Sequence, residues 1–169
     1  MDKAKRNDTL TLILFIIYIL VLIWIVLFKL NFSLAEMERV RNINLIPFRG
    51  SDIGANVIYN ILFFIPFGIY ICMLKNKWSF IIRVIIILCF SLSFEILQFV
   101  FAIGRTDVTD LLCNTLGGII GIGIYELLFK ILKNRTNKVM NIVLLVLTVG
   151  ILLFFALLLT HSIPLRINL

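Results

Sequence analysis

Five long apolar runs, each bounded by charged residues, constrain this chain more than any other feature of its sequence. A helix of about 20 residues is needed to cross about 30 Å of hydrocarbon, and each run approaches or exceeds that length. Strands of a transmembrane barrel would instead alternate in polarity over about ten residues. The sequence therefore predicts an all-α fold, a polytopic membrane bundle of about five transmembrane helices. The predicted spans are residues 10–28, 53–74, 84–103, 108–132 and 139–160.

The composition agrees with a membrane bundle. Hydrophobic residues make up 62% of the chain and charged residues 15%, and the mean hydropathy is +1.11. Such values exclude a water-soluble globular protein. Nothing in the sequence resembles a linker rich in Gly, Ser or Pro between two folded units. We therefore expect residues 1–169 to form a single domain.

The first apolar run has the position of a signal peptide as well as that of a membrane anchor. It follows several basic residues, and Ser33 and Ala35 form a small-x-small pattern after it. Its apolar length, however, exceeds the range of about 7–15 residues that is usual for the core of a signal peptide. We expect the first run to be retained as an anchor.

The distribution of basic residues predicts the orientation, because Lys and Arg near span ends stay in the cytoplasm. With the N-terminus inside, ten of the 16 basic residues lie on the cytoplasmic side and six lie outside. The sequence therefore predicts a cytoplasmic N-terminus and an external C-terminus. The net charge of +7 then reflects topology and contact with anionic lipid, so membrane lipids are the expected partners. No soluble basic domain is present to bind nucleic acid.

Cysteine and histidine usage bears on disulfides and metal sites. Cys72, Cys89 and Cys113 all fall inside predicted spans, and their number is odd, so no disulfide framework is expected. His161 is the only histidine, which rules out a zinc site built from several histidines. We assign no metal site and no cofactor from the sequence.

Polar residues inside the predicted spans are informative, because an ionisable group in hydrocarbon costs at least ~2.5 kcal/mol. With a rise of 1.5 Å per residue, Asn60 and Asn114 lie about 10 Å below the outer ends of their spans, and Glu95 lies about 12 Å below. These three side chains therefore reach one level in the outer half of the bilayer. Closer to the surface come Asn56, Gln98 and Asp110, followed by Asp52, Arg105 and Asp107.

Helical periodicity predicts which of these side chains face one another, since residues three, four or seven apart share a helix face. The polar stripes are Asn56 and Asn60 on the second helix, Ser91, Glu95 and Gln98 on the third, and Asp107, Asp110 and Asn114 on the fourth. Polar side chains in a bilayer turn towards partners or a wet cavity, so we expect the stripes to meet in an outward-facing pocket. Gly117 and Gly121 should let the helix backbones approach closely.

The first outer loop precedes the second span and carries mixed charges. Residues 35–40 have the pattern of a short amphipathic helix on the outer surface. Residues 45–48, Leu-Ile-Pro-Phe, are apolar and interrupted by proline. Two interpretations of this segment stay open, a lid that folds over the pocket and a solvated connector.

Several motifs in this order, on successive helices, resemble the VanZ-like family. They are Asn60-x5-Pro66-x-Gly68, Ser91-x-Ser93-x-Glu95-x2-Gln98, Gly104-Arg105-x-Asp107-x2-Asp110-x3-Asn114-x2-Gly117-Gly118-x2-Gly121, and the preceding Asn44-Leu45-Ile46-Pro47-Phe48. The resemblance covers residues 42–125, and the first and fifth helices are expected to be accessory.

The resemblance implies a small membrane protein of a family that takes its name from a glycopeptide (teicoplanin) resistance protein. It also implies a set of polar residues that we take as candidate ligand-binding residues. They are Asn60, Glu95, Gln98, Arg105, Asp107, Asp110 and Asn114. The resemblance does not supply a reaction.

Three functional hypotheses follow. In the first, the pocket binds an amphiphile at the outer leaflet, such as a lipoglycopeptide or a cell-wall lipid intermediate, with Arg105 pairing to a phosphate or carboxylate. In the second, the protein is an intramembrane enzyme in which Glu95 is the candidate acid or base, and Asp107 and Asp110 form a second carboxylate pair that could hold a divalent cation. In the third, the polar set only joins helices by hydrogen bonds.

Overall fold

The computed structural model of the chain describes residues 3–28, 40–48 and 53–162. These residues form five long α-helices, two short strands and one turn of 3-10 helix. The helices are α1 (Lys3–Phe28), α2 (Ile53–Leu74), α3 (Phe80–Phe101), α4 (Val108–Leu132) and α5 (Thr136–Ser162); the strands are β1 (Val40–Asn44) and β2 (Ile103–Asp107); the 3-10 turn is Lys133–Arg135. The surface helix expected at residues 35–40 lies outside the described residues, apart from Val40, which begins β1.

The all-α membrane bundle is confirmed. Four described segments are long and apolar enough to cross a membrane, namely Asp8–Leu27, Asn56–Leu74, Phe80–Phe101 and Val108–Leu153. The last of these has 46 residues and contains α4, the 3-10 turn and most of α5. The chain is therefore a multi-pass membrane protein, while the number of five crossings and the orientation of the termini stay predictions.

Helices α2 and α4 form the most extensive helix contact of the described structure. Gly117 and Gly121 of α4 lie directly against the backbone carbonyls of Ile61 and Ile65 on α2. A Cβ atom at either glycine would collide with those oxygens, so only glycine allows this approach. The expected close packing through Gly117 and Gly121 is therefore observed, and α2 is its partner.

Aromatic side chains pack α3 against α2. The rings of Phe67 and Phe90 stack with their centroids 4.5 Å apart, and Phe64 meets Phe94 edge to face at 6.3 Å. Phe64 and Phe94 are both fully buried. Helices α2, α3 and α4 therefore form the compact centre of the bundle.

Helix α3 begins earlier than expected. The third span was predicted to start after Arg83, but the helix starts at Phe80, and the Ser79 side chain caps it by accepting the N–H of Ile82. Arg83 is buried inside the helix, where it donates to Glu126 Oε1 at 2.6 Å and to the carbonyl of Asn76 at 2.9 Å. A basic residue with such partners does not need to end a span.

Strands β1 and β2 form a parallel pair that the sequence did not predict. The register runs from Val40 opposite Ile103 to Asn44 opposite Asp107. Helix α3 ends at Phe101, and its C-cap residue Ala102 adopts a left-handed conformation with φ of 55°. The chain then continues directly into β2. The pair holds the segment before α2 against the junction between α3 and α4.

Candidate functional site

A cavity of about 240 Å³ lies at the end of the bundle that carries β1 and β2. The C-terminal parts of α1 and α3 and the N-terminal parts of α2 and α4 form its walls. We call it the polar cavity. Its lining residues are Ile25, Val26, Asn56, Tyr59, Asn60, Phe63, Glu95, Gln98, Asp110 and Asn114.

The structure brings five of the seven candidate residues together in this cavity. They are Asn60, Glu95, Gln98, Asp110 and Asn114. Asn56, from the same predicted stripe as Asn60, also lines it. The three polar stripes of α2, α3 and α4 therefore reach one cavity, while the binding role of their members stays a prediction.

A hydrogen bond joins the α2 and α4 walls of the cavity. The side-chain amide of Asn60 donates to Asp110 Oδ1 at 2.7 Å. Asp110 lies in the first turn of α4, where a carboxylate also interacts favourably with the positive end of the helix dipole. This pairing fixes the position of the Asp110 carboxylate at the cavity wall.

Two buried amides each leave their oxygen without a partner. Asn114 donates from Nδ2 to Ser91 Oγ at 2.9 Å, and Gln98 donates from Nε2 to the carbonyl of Val26 at 3.0 Å. Both side chains are almost fully buried, yet Asn114 Oδ1 and Gln98 Oε1 accept no hydrogen bond. Buried polar atoms without partners are uncommon in proteins, and these two acceptors belong to residues that line the polar cavity.

Glu95 is buried and linked to the start of α4. Its Oε2 accepts the backbone N–H of Asp107 at 2.9 Å, and its backbone carbonyl accepts the hydroxyl of Thr106 at 3.2 Å. Glu95 and Asp110 are the two carboxylates among the described lining residues. The cavity thus combines amide and carboxylate groups, a set suited to hydrogen bonding with a polar ligand.

Asp107 lies beside the cavity and does not line it. Its Oδ1 caps α4 by accepting the N–H of Thr109 at 2.8 Å, and its Oδ2 accepts the side-chain amide of Asn44 at 2.9 Å. Both oxygens therefore stabilise the junction between the strand pair and α4. Arg105 belongs to β2, opposite Asn42, and its side chain lies outside the described part of the chain.

The Leu-Ile-Pro-Phe segment at residues 45–48 is attached to α4. The backbone N–H of Phe48 donates to Thr109 Oγ1 at 3.0 Å, and the side chains of Leu45, Ile46 and Phe48 are exposed. None of the four residues lines the polar cavity. In this structure the segment runs past the N-terminus of α4 and does not cover the cavity.

Sequence reasoning missed the contribution of α1. Ile25 and Val26 line the cavity, and the Val26 carbonyl accepts from Gln98. The sequence gives no sign that Val26 accepts a hydrogen bond, because the acceptor is its backbone oxygen and its side chain is apolar like those around it. Tyr59 and Phe63, which also line the cavity, are likewise ordinary residues of an apolar helix.

The side chains of the described residues do not form a cluster suited to a metal ion. Within residues 3–28, 40–48 and 53–162, no three His, Cys, Asp or Glu side chains lie close enough together to hold a metal ion. The divalent cation considered for Asp107 and Asp110 gains no support from this geometry, since Asp107 is directed to Asn44 and Thr109.

Comparison with known proteins places this chain in a family. The profile of the VanZ/LLP1 family matches residues 15–132, a range that contains every described lining residue of the polar cavity. Protein VanZ from Enterococcus faecium is 39% identical over 157 residues, which cover 90% of this chain and 92% of that protein. No solved structure matches the chain. The predicted resemblance is confirmed and extends into α1, and the chain belongs to the VanZ/LLP1 family.

Proposed function

We propose that this protein lowers bacterial susceptibility to lipoglycopeptide antibiotics of the teicoplanin type. It does so by engaging an amphiphile, the lipoglycopeptide itself or a cell-wall lipid intermediate, at the outer leaflet. The family relationship with Protein VanZ supports the resistance role. The observation that carries the binding role is the polar cavity, which gathers amides and carboxylates from three helices of an apolar bundle.

The volume of the polar cavity limits what it can enclose. Pockets for drug-sized ligands usually measure about 300–1,000 Å³, and this cavity measures about 240 Å³. A whole lipoglycopeptide or lipid intermediate is too large for it. The cavity therefore takes one polar group of the amphiphile, while the rest of the molecule stays in the bilayer or the external medium.

Interhelical hydrogen bonding explains only part of the polar set. Asn60, Gln98 and Asn114 each donate one hydrogen bond to a neighbouring helix, as a purely structural role requires. Such bonds contribute about 0.6 kcal/mol each in membrane proteins. The oxygens of Gln98 and Asn114 accept no hydrogen bond, however, and a purely structural role leaves these two buried acceptors unexplained.

The experiment compares two asparagines. Asn114 and Asn141 are both buried, and each is joined to a neighbouring helix by a hydrogen bond, Asn141 by accepting from Thr11 at 2.9 Å. Asn141 does not line the polar cavity. Teicoplanin susceptibility is measured in cells producing wild type, Asn114→Leu or Asn141→Leu at equal membrane levels. We expect Asn114→Leu to restore susceptibility and Asn141→Leu to retain resistance.

Two results would contradict the proposal. One is equal susceptibility of cells with and without the wild-type protein. The other is an equal loss of resistance in Asn114→Leu and Asn141→Leu, which would assign the asparagines a structural role only. Arg105→Ala in the same assay tests one of the two predicted members outside the cavity lining, whose guanidinium can pair with a phosphate or carboxylate.

A second candidate function is catalysis on a lipid-linked substrate. It is favoured by the presence of two carboxylates, Glu95 and Asp110, in the lining of one cavity. A buried carboxyl group can act as general acid or base. Purified protein is incubated with a labelled undecaprenyl-linked substrate or phospholipid. Turnover that is lost in Glu95→Gln would establish catalysis, and an unchanged substrate would leave binding as the function of the cavity.

A further inference from the structure

A second cavity, of about 220 Å³, adjoins the polar cavity between α1, α2 and α5. We call it the apolar groove. Its lining residues are Tyr18, Val21, Leu22, Ile25, Leu62, Phe63, Pro66, Tyr70, Leu144, Leu147, Thr148 and Ile151. Ile25 and Phe63 line both cavities, so the two spaces are neighbours that share a wall of two side chains.

We propose that the polar cavity and the apolar groove together bind one glycolipid. A sugar of its head group occupies the polar cavity, and one of its hydrocarbon chains occupies the apolar groove. This inference rests on the proposed function, because it names the class of amphiphile that the site engages. It adds the chemistry of the head group and the path of the chain.

The head-group chemistry follows from the two unpartnered acceptors. Gln98 Oε1 and Asn114 Oδ1 are buried and accept no hydrogen bond, and both residues line the polar cavity. A group that completes them must donate hydrogen bonds, as sugar hydroxyls and acetamido N–H groups do. A phosphatidylcholine head has no such donor and would leave both acceptors unpaired.

The path of the hydrocarbon chain follows from the direction of the apolar groove. Along α1 the groove runs from Ile25, beside the polar cavity, back to Tyr18, and along α2 it runs from Leu62 to Tyr70. With a rise of 1.5 Å per residue, the groove extends about 12 Å from the cavity towards the middle of the bundle. A hydrocarbon chain that follows a head group into the membrane takes this direction.

The two parts of the site contribute differently to binding. A hydrocarbon chain gains little by moving from lipid tails into a groove that is equally apolar. The groove therefore selects for the presence and shape of a chain, while the hydrogen bonds of the head group supply the affinity. Tyr18 needs no hydrogen-bond acceptor from a ligand in the groove, since its hydroxyl donates to the Phe63 carbonyl at 2.7 Å.

Photolabelling tests the proposal with two lipids that share one diazirine-bearing acyl chain. One is a glucosyl diacylglycerol and the other is phosphatidylcholine. Full-length protein in vesicles of unlabelled phosphatidylcholine is irradiated with each, and adducts are mapped by mass spectrometry. We expect the glucosyl lipid to label groove residues of α1, α2 and α5 at least several-fold more than phosphatidylcholine does. In Gln98→Leu this preference should be lost.

Matched pairs of variants test whether the hydrocarbon chain of the lipid lies in the apolar groove. Leu147 and Leu153 both lie on α5 and are 51% and 61% exposed, but only Leu147 lines the groove. Leu147→Trp should reduce labelling of the groove by the glucosyl lipid several-fold, and Leu153→Trp should leave it unchanged. Neither position is buried, so both variants are expected to fold. Val21→Phe in the groove and Val146→Phe on the exposed surface of α5 form a second pair.

Equal labelling by the two lipids would overturn the proposal, because the groove would then hold bulk lipid. An equal effect of Leu147→Trp and Leu153→Trp would do the same. The two proposals can fail separately. Suppose that labelling shows no preference for the glucosyl lipid, but that wild type lowers teicoplanin susceptibility and Asn114→Leu does not. The glycolipid inference then fails and the proposed function stands. If the preference is present and wild type leaves susceptibility unchanged, the proposed resistance function fails and the glycolipid site stands.

Discussion

Glu95 Oε2 accepts the backbone N–H of Asp107 at 2.9 Å, and this bond joins the last turns of α3 to the N-cap residue of α4. Asp107 in turn caps α4 and holds Asn44 of β1. One buried carboxylate therefore supports the polar cavity and also lines it. Two different substitutions of Glu95 are therefore needed, one that removes the bond to Asp107 and one that keeps it.

Glu95→Leu should destabilise the protein, whereas Glu95→Gln should leave its stability close to wild type. The leucine leaves the Asp107 N–H without its acceptor, and a hydrogen bond to a charged group contributes about 1.5–3 kcal/mol. The glutamine oxygen can still accept that N–H. Thermal unfolding of the detergent-purified variants measures the difference. Equal midpoints for the two variants would contradict a structural role of the bond.

Gly117→Ala should destabilise the bundle, and Gly123→Ala should not. A Cβ at Gly117 collides with the Ile61 carbonyl, while a Cβ at Gly123 meets nothing within 4 Å. Overpacking of this kind costs about 1–3 kcal/mol, whereas Ala in an exposed helix position is favoured over Gly by about 1 kcal/mol. The unfolding midpoint should therefore fall for the first variant and hold or rise for the second. The opposite order would show that α2 and α4 can separate at little cost.

The hydrogen bond between Asn60 of α2 and Asp110 of α4 should survive an exchange of the amide and the carboxylate between the two positions. Asn60→Asp alone places two carboxylates at the position of a 2.7 Å hydrogen bond, and their repulsion should lower stability and membrane yield. Combining Asn60→Asp with Asp110→Asn restores one carboxylate and one amide, so both quantities should recover. Fluorescence-detected gel filtration of the single and double variants measures this recovery. A double variant no better than Asn60→Asp would show that the bond adds nothing.

Arg83 and Glu126 should be energetically coupled at the other end of the bundle. Arg83 is 6% exposed and donates to Glu126 Oε1 at 2.6 Å, with Cys72 Sγ a further contact at 3.3 Å. Glu126→Leu leaves a buried guanidinium without its carboxylate, whereas Arg83→Met with Glu126→Leu removes both charges. The double variant should be more stable than the sum of the single effects predicts, by about 1 kcal/mol in a double-mutant cycle. Strict additivity would exclude the coupling.

The bounds of the helices followed well from the sequence where charge and apolarity change together. The predicted spans 53–74 and 108–132 coincide with α2 and α4. The start of α3 was missed because a sequence does not reveal that Arg83 finds buried partners. The pair β1–β2 was missed because its strands are about 60 residues apart and make backbone bonds to which side chains give no clue.

The sequence predicted most of the polar side chains that line the candidate site, but not the apolar residues and backbone groups that complete its walls. Helical spacing placed Asn60, Glu95 and Asn114 at one level, and they line one cavity. It also grouped Asp107 with them, although both Asp107 oxygens serve the strand pair and the cap of α4. Spacing gives the face of a helix, but the partner of each carboxylate depends on the path of the connecting chain.

The contact of Gly117 and Gly121 with α2 carbonyls has a thermodynamic consequence for binding. It fixes α2 against α4 at the level just below Asn60, Asp110 and Asn114, so these groups lose their freedom when the chain folds. Immobilising a flexible side chain upon association costs about 0.5–1.5 kcal/mol. Here that entropy has been lost before any ligand arrives, and a weak polar contact can therefore give measurable affinity.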